Sequence, residues 1–211
     1  MKNRLHGLYA ITNEQLMPEK DFFRKAEAAL AAGVSVLQYR DKSDDIKKRL
    51  FQASTLNNLC KEHDAILIIN DDIKLTIDVD ADGIHIGKDD LSISEVRAQL
   101  GGNKIIGVSC YNQLALAHTA AEQNADYIAF GSFFSSSIKP DAPKATIDLI
   151  ASFKSIHNNP VCCIGGITTE NCTPLINAGA DMLAIISDIF SYKQDKEIEL
   201  KCHEYLKLFN L

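Results

Sequence analysis

Asn177-Ala178-Gly179-Ala180-Asp181-Met182-Leu183-Ala184-Ile185-Ile186-Ser187 reads as the end of a helix, a turn on a small residue, and a short apolar run that stops at a hydroxyl. A glycine just past a helix can adopt the left-handed conformation needed there. The same phrase occurs as Ala31-Ala32-Gly33-Val34, Val79-Asp80-Ala81-Asp82-Gly83 and Gln123-Asn124-Ala125-Asp126-Tyr127. Each leads into another apolar run. Eight such runs occupy residues 7–11, 34–38, 65–69, 83–86, 104–108, 127–130, 161–164 and 182–186. They are short, rich in Ile, Val and Leu, and do not alternate strictly with polar residues, as expected of parallel strands covered on both faces. Helical patterns lie between them, the clearest at residues 21–32, 43–63, 112–123, 147–156 and 169–178. Eight strands with helical crossovers favour a closed (β/α)₈ barrel, the TIM barrel, over an open doubly wound sheet. No Pro/Gly/Ser-rich linker interrupts the pattern, so residues 1–211 are expected to form one catalytic domain.

Charge narrows the partners. The 211 residues carry a formal net charge of −6, which offers no electrostatic footprint for nucleic acid or an anionic membrane. No apolar run approaches the roughly 20 residues of a spanning helix, and the first residues lack the apolar stretch of a secretory signal. Six cysteines without a C-x-x-C pair read as reduced, buried thiols. The expected setting is cytoplasmic and the expected partners are small phosphorylated molecules. Self-association into a homo-oligomer is compatible with this reading.

In a barrel of this kind the chemistry lies at the C-terminal ends of the strands. After the second run, Gln38 and Arg40 project the same way if the strand continues, and Arg40 with Lys42 offers two cations suited to phosphate. After the third, Asn70-Asp71-Asp72 presents an amide and two carboxylates. Asp72 suits the cap of the next helix, which leaves Asp71 as a candidate Mg²⁺ ligand. After the fourth, His85 sits between apolar neighbours as a barrel-lining residue, and Asp89-Asp90 supplies a second acidic segment. Ser109 places a hydroxyl at the end of the fifth. The longest loop, residues 131–143, carries several serines and Lys139 and has the character of a binding loop. Gly165-Gly166 after the seventh run and Ser187 after the eighth occupy the places where barrels of this class hold a phosphate on backbone N–H groups. Two anion sites and acidic groups fit for a divalent cation suggest two phosphorylated substrates, one with a pyrophosphate leaving group.

Taken in order, several segments resemble the thiamine phosphate synthase family: Leu8-Tyr9-Ala10-Ile11-Thr12, Gln38-Tyr39-Arg40-Asp41-Lys42, Ile69-Asn70-Asp71, Asp82 through Asp90, Ile106-Gly107-Val108-Ser109, Lys139-Pro140-Asp141-Ala142, Gly165-Gly166-Ile167-Thr168 and Ala178 to Ser187. The resemblance spans nearly the whole chain. It implies an Mg²⁺-dependent transferase that joins a pyrimidine methyl pyrophosphate to a thiazole phosphate. Arg40, Lys42, Asn70 and Lys139 would hold the pyrophosphate, and Asp71 and Asp90 the Mg²⁺. Gln38, His85 and Ser109 would line the pyrimidine pocket. Ser136, Gly166, Ile186 and Ser187 would serve the thiazole phosphate. The chain departs from the family pattern in three places. Ile138 stands where a threonine is usual, Lys88 where glutamine is frequent, and Tyr111 where histidine or threonine is common. A related thiazole tautomerase shares the barrel and the thiazole phosphate site without coupling two substrates, and it is the alternative reading, together with a non-catalytic phosphate-metabolite binder.

Overall fold

The computed structural model describes residues 4–87, 90–135 and 143–211. Lys88, Ser136, Ile138 and Lys139, named above, lie outside these residues. Eight parallel strands pair in sequence order and close into a barrel: β1 (Gly7–Ile11), β2 (Val36–Tyr39), β3 (Ile66–Asn70), β4 (Gly83–Ile86), β5 (Ile105–Tyr111), β6 (Tyr127–Gly131), β7 (Val161–Ile164) and β8 (Met182–Ile185). β1 pairs with both β2 and β8, which leaves no free sheet edge.

Alternation along the strands divides the apolar residues into two cores. Tyr9, Ile11, Val36, Ile66, Ile68, Ile105, Tyr127, Ala129, Cys162, Met182 and Ala184 fill the inside of the barrel. Their neighbours Leu8, Ala10, Leu37, Leu67, Ile69, Ile84, Ile106, Ile128, Cys163 and Leu183 face outward and pack beneath the helices. Both faces are therefore buried, which is why the runs look continuously apolar in sequence.

The outer layer consists of α1 (Phe22–Ala31), α2 (Ile46–Glu62), α3 (Ile73–Asp78), α4 (Ile93–Leu100), α5 (Leu114–Glu122), α6 (Asp148–Lys154), α7 (Thr173–Asn177), α8 (Ser187–Phe190) and α9 (Asp195–Leu208), with one 3₁₀ turn at Glu19–Asp21. The left-handed turns fall where the repeated phrase puts them, at Gly33, Asp80, Asn124 and Gly179. Asp72 caps α3 by accepting from Leu75 N at 2.8 Å. The cap of α2 is Asp45 and not the earlier Ser43, so that helix starts later than its polar lead-in suggests. Asp21 precedes α1 but makes no side-chain cap; its carboxylate instead accepts from Arg24. All six cysteines are buried and unpaired. Among the described residues no helix is long and apolar enough to cross a membrane.

Two contacts fix the short helix α8, which follows β8. Buried Lys25 on α1 donates to Phe190 O at 2.7 Å and to Leu16 O at 2.8 Å. Tyr205 Oη on α9 donates to Asp188 Oδ2 at 2.6 Å and lies 3.2 Å from Ile167 O, tying the loops after β7 and β8 to the C-terminal helix.

Candidate active site

The C-terminal ends of the strands surround a cavity of about 830 Å³. Eight residues singled out in the sequence line it: Gln38, Arg40, Asn70, His85, Ser109, Gly166, Ile186 and Ser187. β2 ends at Tyr39, yet Arg40 still shares the cavity with Gln38 because its backbone is held in line. Thr12 Oγ1 accepts from Arg40 N at 2.9 Å, and Thr12 N donates to Gln38 O at 2.9 Å.

Lys42 and Asp71 line an adjoining pocket of about 420 Å³, and Asn70 belongs to both. Asp71 has a left-handed backbone, φ 61°, and its carboxylate accepts from Lys42 Nζ at 2.5 Å and Asn70 Nδ2 at 2.6 Å. Asp90 comes from the loop after β4 and accepts from Gly87 N at 2.6 Å. Burial and the facing Asp71 carboxylate both raise the Asp90 pKa. Asp71 and Asp90 thus interact as an acidic pair, and among the described residues no third carboxylate, histidine or cysteine joins them in a cluster.

Four hydrogen bonds run across the floor of the cavity and connect five strands. Gln38 Nε2 donates to Tyr9 Oη at 2.8 Å. Tyr9 Oη lies 2.8 Å from Tyr127 Oη, which lies 2.9 Å from His85 Nδ1. His85 Nε2 lies 2.8 Å from Ser109 Oγ. The Tyr127 ring stacks on His85 at 5.6 Å and 27°, and Gly107 makes room for it: a Cβ there would fall 1.9 Å from Tyr127 Cζ. Burial lowers the His85 pKa to about 4, a shift the Asp71 charge only partly opposes, so the ring is neutral. Burial raises both tyrosines. Tyr9 and Tyr127 are residues the strand-end reading passes over, because a tyrosine inside an apolar run looks like core. A bulge in β5 between Ser109 and Tyr111 sits beside this chain, a usual device for re-aiming side chains at a site.

On the opposite wall, Gly165 and Gly166 both have positive φ, 107° and 61°. A Cβ at Gly165 would fall 2.0 Å from Ser132 Oγ, and one at Gly166 2.2 Å from Ser135 O. Only glycine fits this turn, which brings backbone to the cavity next to Ser187. Ser132, Ser135, Thr168 and Asp188 also line this wall.

Comparisons with known proteins give the family. A family model described as thiamine monophosphate synthase matches residues 8–189. The chain belongs to the thiamine monophosphate synthase family. It is 44% identical to the thiamine-phosphate synthase of Acidithiobacillus ferrooxidans (strain ATCC 53993 / BNL-5-31), over 98% of this chain and 95% of that one. It is 48% identical to the thiamine-phosphate synthase of Thiobacillus denitrificans, over 87% of each chain. Among solved structures, the thiamine phosphate pyrophosphorylase of Pyrococcus furiosus superposes with a TM-score of 0.88 at 29% identity, covering 99% of this chain and 97% of the other. Gln38, Ser109, Arg40, Asn70, Gly165 and Gly166 all line the one cavity at the strand ends.

Proposed function

We propose that this chain is a thiamine phosphate synthase that joins hydroxymethylpyrimidine pyrophosphate to hydroxyethylthiazole phosphate, releasing pyrophosphate. One observation supports the reading: a single cavity is lined by Gln38, His85 and Ser109, by Arg40 with Asn70, and by Gly166 with Ser187, groups suited to an uncharged ring and to two separate phosphates. The pyrimidine would rest on Gln38, His85 and Ser109. Arg40, Asn70 and Lys42 would hold the pyrophosphate, joined by Lys139. Gly166, Ile186 and Ser187, with Ser136, would hold the thiazole phosphate.

In this reading the C–O bond of the pyrimidine methyl group breaks, and its electron pair leaves with pyrophosphate. The thiazole nitrogen then forms the new C–N bond to the carbon left electron-poor. Arg40 and Lys42 stabilise charge as it grows on the leaving group, and the two phosphate sites hold the reacting ends in one orientation.

The Asp71–Asp90 pair fits Mg²⁺, which usually takes one or two carboxylates from protein and completes its shell with water and substrate phosphates. Asp71 raises the Asp90 pKa, as two carboxylates near enough to share a cation would, and Lys42 pairs with Asp71. When bound there, Mg²⁺ would supply charge neutralisation for the departing pyrophosphate. Six buried, unpaired cysteines, which suit a reducing compartment, support a cytoplasmic setting.

The thiazole tautomerase alternative needs only the Gly166–Ser187 half of the cavity and leaves Arg40, Asn70, Asp71 and Asp90 without a task. The deciding experiment supplies both substrates with and without Mg²⁺ and measures thiamine phosphate. Mg²⁺-dependent product is expected. Folded protein that yields none would overturn the synthase reading and favour the tautomerase.

A further inference from the structure

The five-residue chain across the cavity floor has a direction, and that direction determines what its last member can offer a ligand. Each tyrosine hydroxyl has one proton. Gln38 Nε2 donates to Tyr9 Oη, so the Tyr9 proton is free to pass the bond on to Tyr127 Oη. Tyr127 in turn donates to His85 Nδ1, which leaves the His85 proton on Nε2, where it is given to Ser109 Oγ. In this sense every hydroxyl accepts once and donates once. With Gln38 placed as it is, the opposite sense makes Tyr9 accept twice and leaves its own proton without an acceptor among the described residues. A buried donor left unpaired costs more than the hydrogen bond itself returns, and Tyr9 is only 1% exposed.

We propose that Tyr9 and Tyr127 are positioning residues that lock His85 as the Nε2–H tautomer and thereby make the Ser109 hydroxyl a hydrogen-bond donor to the ligand, with Gln38 Oε1 as the acceptor at the other end of the floor. Tautomers of histidine are set by the bond made at the far nitrogen. Here Nδ1 can only accept, because its partner's proton is already directed at it. Ser109 Oγ receives from His85, so its own proton points away from the chain and into the cavity that Ser109 lines. Gln38 spends its amide N–H on Tyr9, and its Oε1 remains.

The floor thus presents one donor and one acceptor, both on uncharged groups. An aminopyrimidine is complementary: its amine donates and its ring nitrogens accept. That ligand assignment rests on the function proposed above; the tautomer does not. Gly107 belongs to the same device, since any Cβ at that position would collide with the Tyr127 ring. His85, stacked on Tyr127, cannot rotate away from it without losing that contact.

The test is a long-range ¹H–¹⁵N correlation spectrum of protein labelled at histidine, at neutral pH, with the His85 signals identified by their loss in His85→Gln. Protonation at Nε2 alone is expected in the unaltered protein. In Tyr127→Phe the donor to Nδ1 is gone and His85 should populate both tautomers. The same variant should raise KM for the pyrimidine pyrophosphate by about 2- to 10-fold, the weakening of one hydrogen bond between uncharged groups, and leave KM for the thiazole phosphate unchanged. Tyr9→Phe removes the bond that sets the sense of the Tyr127 hydroxyl, so in this variant too His85 should populate both tautomers. Protonation at Nδ1 in the unaltered protein would overturn the proposal. So would a Tyr127→Phe variant with a pure Nε2–H tautomer and unchanged KM. Should Tyr127→Phe fail to fold, the unaltered protein and Tyr9→Phe still decide the direction of the chain. An Nε2–H tautomer in a protein that makes no thiamine phosphate would support the chain and overturn only the functional reading.

Discussion

Lys42 Nζ rests 2.5 Å from Asp71 Oδ2, so a cation already occupies one face of the carboxylate best placed to receive another. The two side chains are 59% and 29% exposed, and an ion pair this open contributes little to stability. It can be exchanged at small cost. Lys42→Met is expected to tighten Mg²⁺ binding to the substrate-free protein, because it removes a competitor. It should also raise KM for the pyrimidine pyrophosphate, because it removes a phosphate contact. Calorimetric Mg²⁺ titration and initial rates measure the two effects. Weaker Mg²⁺ binding in the variant would remove Asp71 from the metal site.

Asp71→Asn and Asp90→Asn should each lower Mg²⁺-dependent turnover by about 100-fold or more, the scale of several kcal/mol of lost charge stabilisation. The loss should be partly recovered at high Mg²⁺, with the thermal midpoint nearly unchanged. Steady-state rates across a Mg²⁺ series check this. Unaltered rates at low Mg²⁺ in either variant would exclude that residue.

Gly165→Ala introduces a side chain at φ 107° and within 2.0 Å of Ser132 Oγ. Strain and collision together should destabilise the fold by roughly 2–4 kcal/mol and weaken thiazole phosphate binding. Gly102→Ala is the control: nothing lies within 4 Å of a Cβ there, and its effect should stay within about 0.5 kcal/mol. Denaturant midpoints for the pair test the contrast.

His85 is held neutral by burial, with its pKa near 4 against an ordinary 6.5. Above about pH 6.5 the ring is neutral in both folded and unfolded chains, and its contribution to stability is constant. As pH falls from 6.5 toward 4 only the unfolded chain takes up the proton, so stability is lost across that window and levels off below it. His85→Gln should flatten this part of the stability–pH curve by about one proton. Denaturation at closely spaced pH values measures the slope; an unchanged slope would show that His85 titrates normally in the fold.

Lys25→Met should cost about 1–3 kcal/mol, since it leaves the buried Phe190 carbonyl and the half-buried Leu16 carbonyl without their donor. Phe190 ends α8, which begins at Ser187, so KM for the thiazole phosphate should rise while KM for the pyrimidine pyrophosphate holds. Equal changes in both would mean that Lys25 supports the barrel at large.

Much of the barrel can be read from the chain because both faces of each strand are covered. That makes the eight runs continuously apolar, and the turns before them have to bend at Gly33, Asp80, Asn124 and Gly179. The helices are less evenly legible. α3 has six residues, too few to show a repeating face. α4 and α9 did leave signals: the Ser92–Glu95 capping box, and buried Ile198, Cys202 and Tyr205 at helical spacing. The cavity residues follow from the rule that strand ends carry the chemistry, which finds Gln38, Asn70, His85 and Ser109. It does not find Tyr9 and Tyr127, whose hydroxyls meet only because β1 and β6 face each other across a closed barrel. Nor does it separate Lys42 from Arg40. Two residues apart in sequence, they line different pockets because the chain has left the strand between them.

Every polar group on the cavity floor is uncharged: an amide, two phenols held protonated, a neutral imidazole and an alcohol. The charged groups lie off the floor: Arg40 and Asp188 on the cavity wall, Lys42 and Asp71 in the adjoining pocket, and Asp90 on the loop after β4. The chamber is therefore graded, from a dipolar base to ionic surroundings. In the proposed reaction, an electron-poor carbon generated near the base would meet no strong base or anionic nucleophile there to trap it, while the anion it sheds would be drawn toward the charged groups.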